Sequence, residues 1–216
     1  MKVEIWSDYA CPFCYIGKRR FEKALEQFPH KDEVKVVFRS FELDPSSPKE
    51  IRTSMQEILA AKYGMSLDEA KAANDRVAGQ ALEEGLLYRF DTMIPTNTFD
   101  AHRLTHYAAK HGKMAEMSER LFKAYFTDSL HIGDVDTLIF LAQGIGLDGK
   151  ETADILASDA FTDDVRSDER LAGEIGIRGV PFFVLDEKYA ISGAQPLEAF
   201  QKALQQVWEK RTEQQD

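Results

Sequence analysis

Cysteine is almost missing from this chain: there are two in 216 residues, and both fall in one stretch, Cys11-Pro12-Phe13-Cys14. A stabilising disulfide is disfavoured, because a C-x-x-C closes a tiny loop and chain-entropy stabilisation grows with loop size. A zinc site needs two further ligands. The five histidines are scattered at His30, His102, His106, His111 and His131, and only His102 and His106 share a helical face. Positive charge is in deficit as well. Lys and Arg number 27 against 37 Asp and Glu, a net charge of −10 that argues against nucleic acid or an anionic membrane surface as partner. No apolar run approaches the ~18–20 residues needed to span a bilayer. Met1-Lys2 runs straight into an alternating segment with no apolar signal region, so the expected location is the cytoplasm. Disulfides there are usually transient, catalytic or sensing.

What is present centres on the two cysteines. Val3-Glu4-Ile5-Trp6 alternates in polarity and predicts a short strand. Residues 12–28 carry Gly17, Phe21, Leu25 and Phe28 at helical spacing. Pro12 suits the first helical position, where a missing N–H costs nothing. Cys11 then stands at a helix N-terminus, where unpaired N–H groups and the positive end of the dipole favour a thiolate. Cys14, one turn in, is placed to attack a mixed disulfide formed at Cys11. Two thiols packed as small hydrophobes are the bland alternative; the spacing favours redox chemistry.

Prolines divide the rest. An apolar run over residues 34–43 predicts a second strand, closed by Pro45 and Pro48. From Pro48 to Pro181 only Pro95 interrupts a stretch rich in helix formers. One helix face there holds Ile51, Met55, Ile58 and Leu59 and stops at Gly64. Ser66-Leu67-Asp68-Glu69 is a capping box. Asn97 or Thr98 caps a helix ending at Gly112, a stripe of Met114, Met117, Leu121 and Tyr125 reads as core, and Asp134, Asp148 and Ser158 are further caps. Beyond Gly176 the β pattern returns, with Phe182-Phe183-Val184-Leu185 and Tyr189-Ala190-Ile191 joined by a short hairpin connection. Pro196 opens a closing helix. One sheet-containing α/β domain (1–46 and 177–216) with an all-helical domain (47–176) inserted into it accounts for this order.

The motifs resemble those of the DsbA-like branch of the thioredoxin fold, and more narrowly its FrnE-type members. The signatures are Ser7-Asp8-Tyr9-Ala10-Cys11-Pro12-Phe13-Cys14-Tyr15-Ile16-Gly17, Phe41-Glu42-Leu43, Asn97-Thr98-Phe99-Asp100-Ala101-His102-Arg103, Gly179-Val180-Pro181-Phe182-Phe183-Val184 and Ile191-Ser192-Gly193-Ala194-Gln195. The resemblance implies a thioredoxin-like fold with Val180–Pro181 cis beside the cysteines, and a Val180 backbone that pairs with extended substrate. Pro12 joins that substrate surface, and Asn97 and His102 line a cleft between the domains; Phe13 and Tyr15 are read as partly exposed around Cys11, offering apolar contact to unfolded substrates. One position departs from the pattern: Ile5 stands where the family carries a buried acid six residues before the first cysteine. Glu4 lies on the opposite strand face, which leaves Asp8, Glu42 or water as base for Cys14. Lys18, Arg19 and Arg20 read as a solvated face.

The expected activity is thiol–disulfide exchange, with Cys11 as nucleophile and Cys14 as resolving thiol. The substrate is a disulfide- or dithiol-bearing protein or small thiol. No bound cofactor or metal is expected, and glutathione or another thiol is the redox co-substrate. A glutathione-dependent isomerase or kappa-class-like transferase is the rival reading, disfavoured by the second cysteine; a redox-linked chaperone is a third.

Overall fold

β1 (Lys2–Ser7) is an interior strand of the sheet in the first of two compact units. In the computed structural model, which describes residues 1–213, this unit comprises Met1–Phe41 and the described residues from Asp168 onward. α1 (Pro12–Glu26) returns the chain antiparallel to β1, and β2 (Lys35–Ser40) pairs parallel to it in the register Ile5↔Phe38. β3 (Phe182–Leu185) pairs antiparallel on the other side, Ile5 opposite Phe183, and β4 (Tyr189–Ser192) completes the order β2-β1-β3-β4. Asp186 and Glu187 make the hairpin turn at positive φ, 46° and 58°.

Alternation along β1 divides its side chains between two faces. Ile5 and Phe183 meet α1 and α9 (Leu197–Thr212), where Phe21, Phe183 and Phe200 form a ring cluster with centroids 4.7–5.9 Å apart. Trp6 takes the other face with Ala172 and Ile177, against the partly buried Leu171, Phe182 and Val184. On that face Glu4 is buried, held by Arg39 Nε at 2.9 Å and Lys2 Nζ at 2.9 Å. Arg39 reaches on to Asp168 at 2.7 Å, whose second oxygen accepts the Ser40 amide. A buried charge survives only when paired in this way.

The second unit, Glu42–Ser167, is helical. It holds α2 (Met55–Tyr63), α3 (Leu67–Glu83), α4 (Phe99–Lys110), α5 (Met114–Phe126), α6 (Val135–Gly144), α7 (Gly149–Leu156) and the first residues of α8 (Thr162–Glu174). The Ser66–Glu69 capping box forms, as do the Asp134 and Asp148 caps. Met117, Leu121 and Tyr125 are fully buried core. Two starts differ from the sequence reading. Ile51 precedes its helix, because Ser54 and Glu57 make a capping box that begins α2 at Met55. Ser158 does not cap α8; its hydroxyl takes the Ala160 amide and its carbonyl accepts from Arg103, so the helix opens only at Thr162. The expected boundaries at 46/47 and 176/177 compare with 41/42 and 167/168 for the compact units, the second of which falls inside α8. The protein is thus an α/β thioredoxin-like core with an inserted all-helical region.

Candidate active site

Cys11 is the N-cap residue of α1, with extended backbone (φ −91°, ψ 113°), and Pro12 is the first helical residue. The turn before it is closed by the Cys11 amide on the Asp8 carbonyl at 3.0 Å. No acidic side chain occupies the first turn of α1, so nothing there neutralises the positive end of the helix. Cys14 sits one turn in, its amide on the Cys11 carbonyl at 3.1 Å, and is 1% exposed.

The loop before β3 completes this arrangement. The Val180–Pro181 peptide is cis. Cys11 Sγ lies 3.5 Å from the Val180 carbonyl oxygen, to which it donates. The Pro181 carbonyl accepts from Gly193 N at 2.8 Å, and Arg20 Nη1 donates to Ala194 O at 2.8 Å, so the loops before β3 and after β4 are tied to each other and to α1. Gly17 is where α1 passes closest: a Cβ there would lie 3.0 Å from Pro181 Cγ and 3.4 Å from Ala194 Cα. Phe13, by contrast, turns outward and is 40% exposed, whereas Tyr15, expected to be partly exposed beside it, is on the buried face of α1.

The two sulfurs differ in environment. Burial pushes the Cys14 thiol well above its ordinary range, and the neighbouring Cys11 sulfur adds to that. The Asp8 amide and the Ser7 hydroxyl donate to Cys14 and act in the opposite direction. A thiol so placed stays protonated at neutral pH while Cys11 holds the helix end.

Of the residues singled out from sequence, the sheet unit brings together Cys11, Pro12, Phe13, Cys14, Val180 and Pro181. Asn97 and His102 belong to the helical unit. Asn97 Oδ1 accepts the Phe99 amide at 2.9 Å and its Nδ2 donates to Ser47 O at 3.0 Å, so it shapes the start of α4, while His102 is a buried residue of that helix. The reading of Lys18, Arg19 and Arg20 as a solvated face needs correction. Lys18 is 2% exposed, because it shares the inward face with Cys14 four residues earlier, and pairs with Glu22 at 2.7 Å. Arg20 is the cation that clasps the Ala194 loop. Ser7 and Gly17 had no assigned role in the sequence, and Arg20 was read as solvated; only their position within a few residues of the C-x-x-C pointed to them.

Residues 2–205 match the family described as DSBA-like thioredoxin domain. The chain belongs to that family. A probable DsbA oxidoreductase from Streptomyces coelicolor, SCO1869, shares 49% identity with a TM-score of 0.93, covering 97% of this chain and 90% of that one. YwbO of Bacillus subtilis, a protein without assigned activity, is 30% identical over 97% of this chain and 98% of its own length. At 15% identity the resemblance is one of fold: the cytosolic disulfide reductase DsbM from Pseudomonas aeruginosa, solved with GSH, has a TM-score of 0.68 and covers 97% of this chain and 100% of that one. This DsbA-like protein is an enzyme, a thiol–disulfide oxidoreductase with its C-x-x-C at residues 11–14.

Proposed function

We propose that the enzyme exchanges disulfides through Cys11 as nucleophile and Cys14 as resolving thiol, as a FrnE-type member working in a reducing cytoplasm. The observation that carries this is the asymmetry of the pair. Both are buried, but Cys11 is at a helix N-terminus with no acidic side chain in its first turn and lies against the Val180 carbonyl, whereas Cys14 sits one turn inside the helix as a thiol.

The Cys11 thiolate attacks one sulfur of a substrate disulfide, forming Cys11–S–S–R and expelling the other sulfur as a thiolate. Once Cys11 no longer carries a proton to donate, the Val180 carbonyl is released to accept an amide from extended substrate. Phe13 and Pro12 offer apolar contact beside it. The Cys14 thiolate then attacks Cys11 Sγ, closing the Cys11–Cys14 disulfide and releasing RS⁻. Two electrons have passed from the dithiol to the substrate. Two equivalents of a small thiol such as glutathione return the pair to the dithiol, and the GSH-bound fold relative DsbM supports a thiol of that class. Since ~30 mV shifts a two-electron equilibrium tenfold, a reducing thiol pool keeps the pair reduced and makes net reduction or isomerisation the direction of flow.

Insulin reduction and glutathione-coupled dithiol oxidation test the assignment. Cys11→Ser abolishes both, and Cys14→Ala accumulates a mixed disulfide at Cys11. Full activity of Cys11→Ser in either assay overturns it. Turnover of a glutathione conjugate undiminished in Cys14→Ala would favour a transferase or isomerase instead.

A further inference from the structure

A cavity of about 530 Å³ lies on the Trp6 face of the sheet. Trp6 of β1, Phe182 and Val184 of β3 and Ala190 of β4 line it, with Leu171 of α8 against them. Trp6 is 1% exposed, yet Phe182 and Val184 beside it are only half-buried and Ala190 on the edge strand is exposed. Cover over β1 is thus complete, and space remains over β3 and β4. Small-molecule sites have volumes of roughly 300–1,000 Å³ with mostly apolar walls and a few placed polar groups. Neither cysteine lines this cavity, nor does the Val180–Pro181 loop.

The polar group placed here is Glu4. It lines the cavity and is 4% exposed. Its contacts converge on a single oxygen: Oε1 meets Lys2 Nζ at 2.9 Å and takes Arg39 Nε at 2.9 Å and Arg39 Nη2. Oε2 has no hydrogen-bond partner among the described residues. A buried acceptor without a donor is costly, so a ligand that supplies one gains more here than on open surface. Charge, by contrast, is already balanced. Lys2, Arg39 and Lys188 line the cavity with Glu4 and Glu187, and Asp168 pairs Arg39 from behind at 2.7 Å. An ion of either sign would enter without a counter-charge, and desolvating it would cost more than the contact returns. A neutral donor meets no such penalty.

We propose that this cavity binds a small neutral aromatic alcohol, with its ring against Trp6, Phe182 and Val184 and its hydroxyl donating to Glu4 Oε2. The aromatic walls favour a flat ring, which packs on them edge-on or offset. A phenolic hydroxyl keeps its proton at neutral pH, since such groups titrate near 10. An amine would arrive as a cation and a carboxylic acid as an anion, each against the balance of the lining. The site is separate from thiol exchange, so it does not depend on which cysteine attacks first.

The test uses 4-propylphenol beside its methyl ether, 4-propylanisole, which has the same ring and chain without the O–H. Trp6 is one of two tryptophans, so in Trp208→Phe protein its emission alone reports the cavity. The phenol is expected to change that emission saturably and to bind about tenfold more tightly than the ether, the worth of one hydrogen bond to a charged acceptor. A site that is merely apolar would hold the ether at least as well. Glu4→Gln keeps the shape and removes the charge, so the preference for the phenol should fall to about threefold, charge-assisted bonds being roughly twice as strong as neutral ones. Ala190→Phe fills the cavity from the exposed edge strand with Glu4 intact, and should weaken both compounds by tenfold or more. Circular dichroism of each variant reports folding. No saturable response from the Trp208→Phe protein, equal affinity for phenol and ether, or a folded Ala190→Phe that binds as tightly as its parent each overturns the proposal.

Discussion

Gly17 faces Pro181 across the junction of α1 with the loop before β3, and an added Cβ would stand 3.0 Å from the proline Cγ. Ala194 Cα and Cβ close the same space at 3.4 Å. Glycine at this helical position is a packing requirement, not a conformational one. An alanine would raise helix propensity by up to ~1 kcal/mol while forcing the loop to yield by a few tenths of an ångström. The loop cannot yield freely, since Gly193 N and Arg20 tie it on both sides. Gly17→Ala is therefore expected to leave the urea midpoint within about 1 kcal/mol of wild type. Its kcat/KM in insulin reduction is expected to fall by roughly tenfold, because small misplacements at a reacting centre are costly. Unchanged kcat/KM would show that the Pro181 loop need not sit where it does.

Cys14 makes the stability of the reduced protein depend on pH. Burial and the Cys11 sulfur raise its thiol in the folded state, so the folded state holds the proton longer than the unfolded chain, where a cysteine titrates at about 8.5. The contribution is whole below that pH and is lost as pH rises through it. Reduced wild type should lose up to ~1.4 kcal/mol per pH unit above pH ~8.5 relative to reduced Cys14→Ser. Urea unfolding of both proteins under reductant, from pH 7 to 10, checks this. Parallel curves would mean that the sulfur ionises as readily inside as outside.

Much of this was legible before the coordinates. The C-x-x-C with Pro12 behind it fixes a thiol at a helix start, because proline excludes the preceding residue from the helix and suits the first position. The Ser66–Glu69 capping box and the Asp134 and Asp148 caps are local hydrogen-bond chemistry, so short segments suffice to read them, although the equivalent Ser54–Glu57 box was missed. Contacts between distant segments were not legible. Nothing in the sequence tells Ser7 that its hydroxyl will meet Cys14, or joins Arg20 to Ala194, 174 positions away. Charge itself misled at Lys18. A lysine after a redox motif reads as solvent-facing, yet helical spacing from Cys14 places it inward and Glu22 makes that tolerable. Asn97 or Thr98 was read as the cap of α4; Thr98 holds the cap position without a side-chain cap bond, and Asn97, one residue earlier, takes the Phe99 amide and donates to Ser47 O.

Glu4 supplies the opposite pH dependence. Burial alone would raise its carboxyl, but hydrogen bonds from Lys2 and Arg39 outweigh burial and hold it below the ordinary range. The stabilisation is present above the unfolded value near 4.3 and is lost as pH falls through the lower folded value. Glu4→Gln should cost about 1–3 kcal/mol at pH 7, the worth of hydrogen bonds to a charged group. The gap from wild type should narrow as pH drops below ~4.3, where the wild-type carboxyl gains its proton. Denaturant midpoints at pH 7, 5 and 4 measure it. A gap that stays constant over that range would show that the ion pair contributes nothing and that packing alone is lost.

Two glycines of the helical unit should respond oppositely to the same substitution. Gly133 lies against Thr96, whose Oγ1 would be 2.0 Å from an added Cβ. Thr96 cannot step aside cheaply, because that oxygen donates to Lys49 O at 2.7 Å and meets His131 Nε2 at 3.1 Å, while His131 also reaches Lys49 O. Gly133→Ala should thus destabilise by about 1–3 kcal/mol, the range for forcing a methyl into packed space. Gly79 stands within α3 with nothing inside 4 Å of the same atom. There Gly79→Ala removes only backbone freedom and should stabilise by roughly 0.5–1 kcal/mol. Thermal unfolding of the two variants beside wild type decides the matter. A neutral Gly133→Ala would mean that the Thr96–Lys49–His131 cluster rearranges without cost, and a destabilised Gly79→Ala would mean that the open face of α3 is covered in solution.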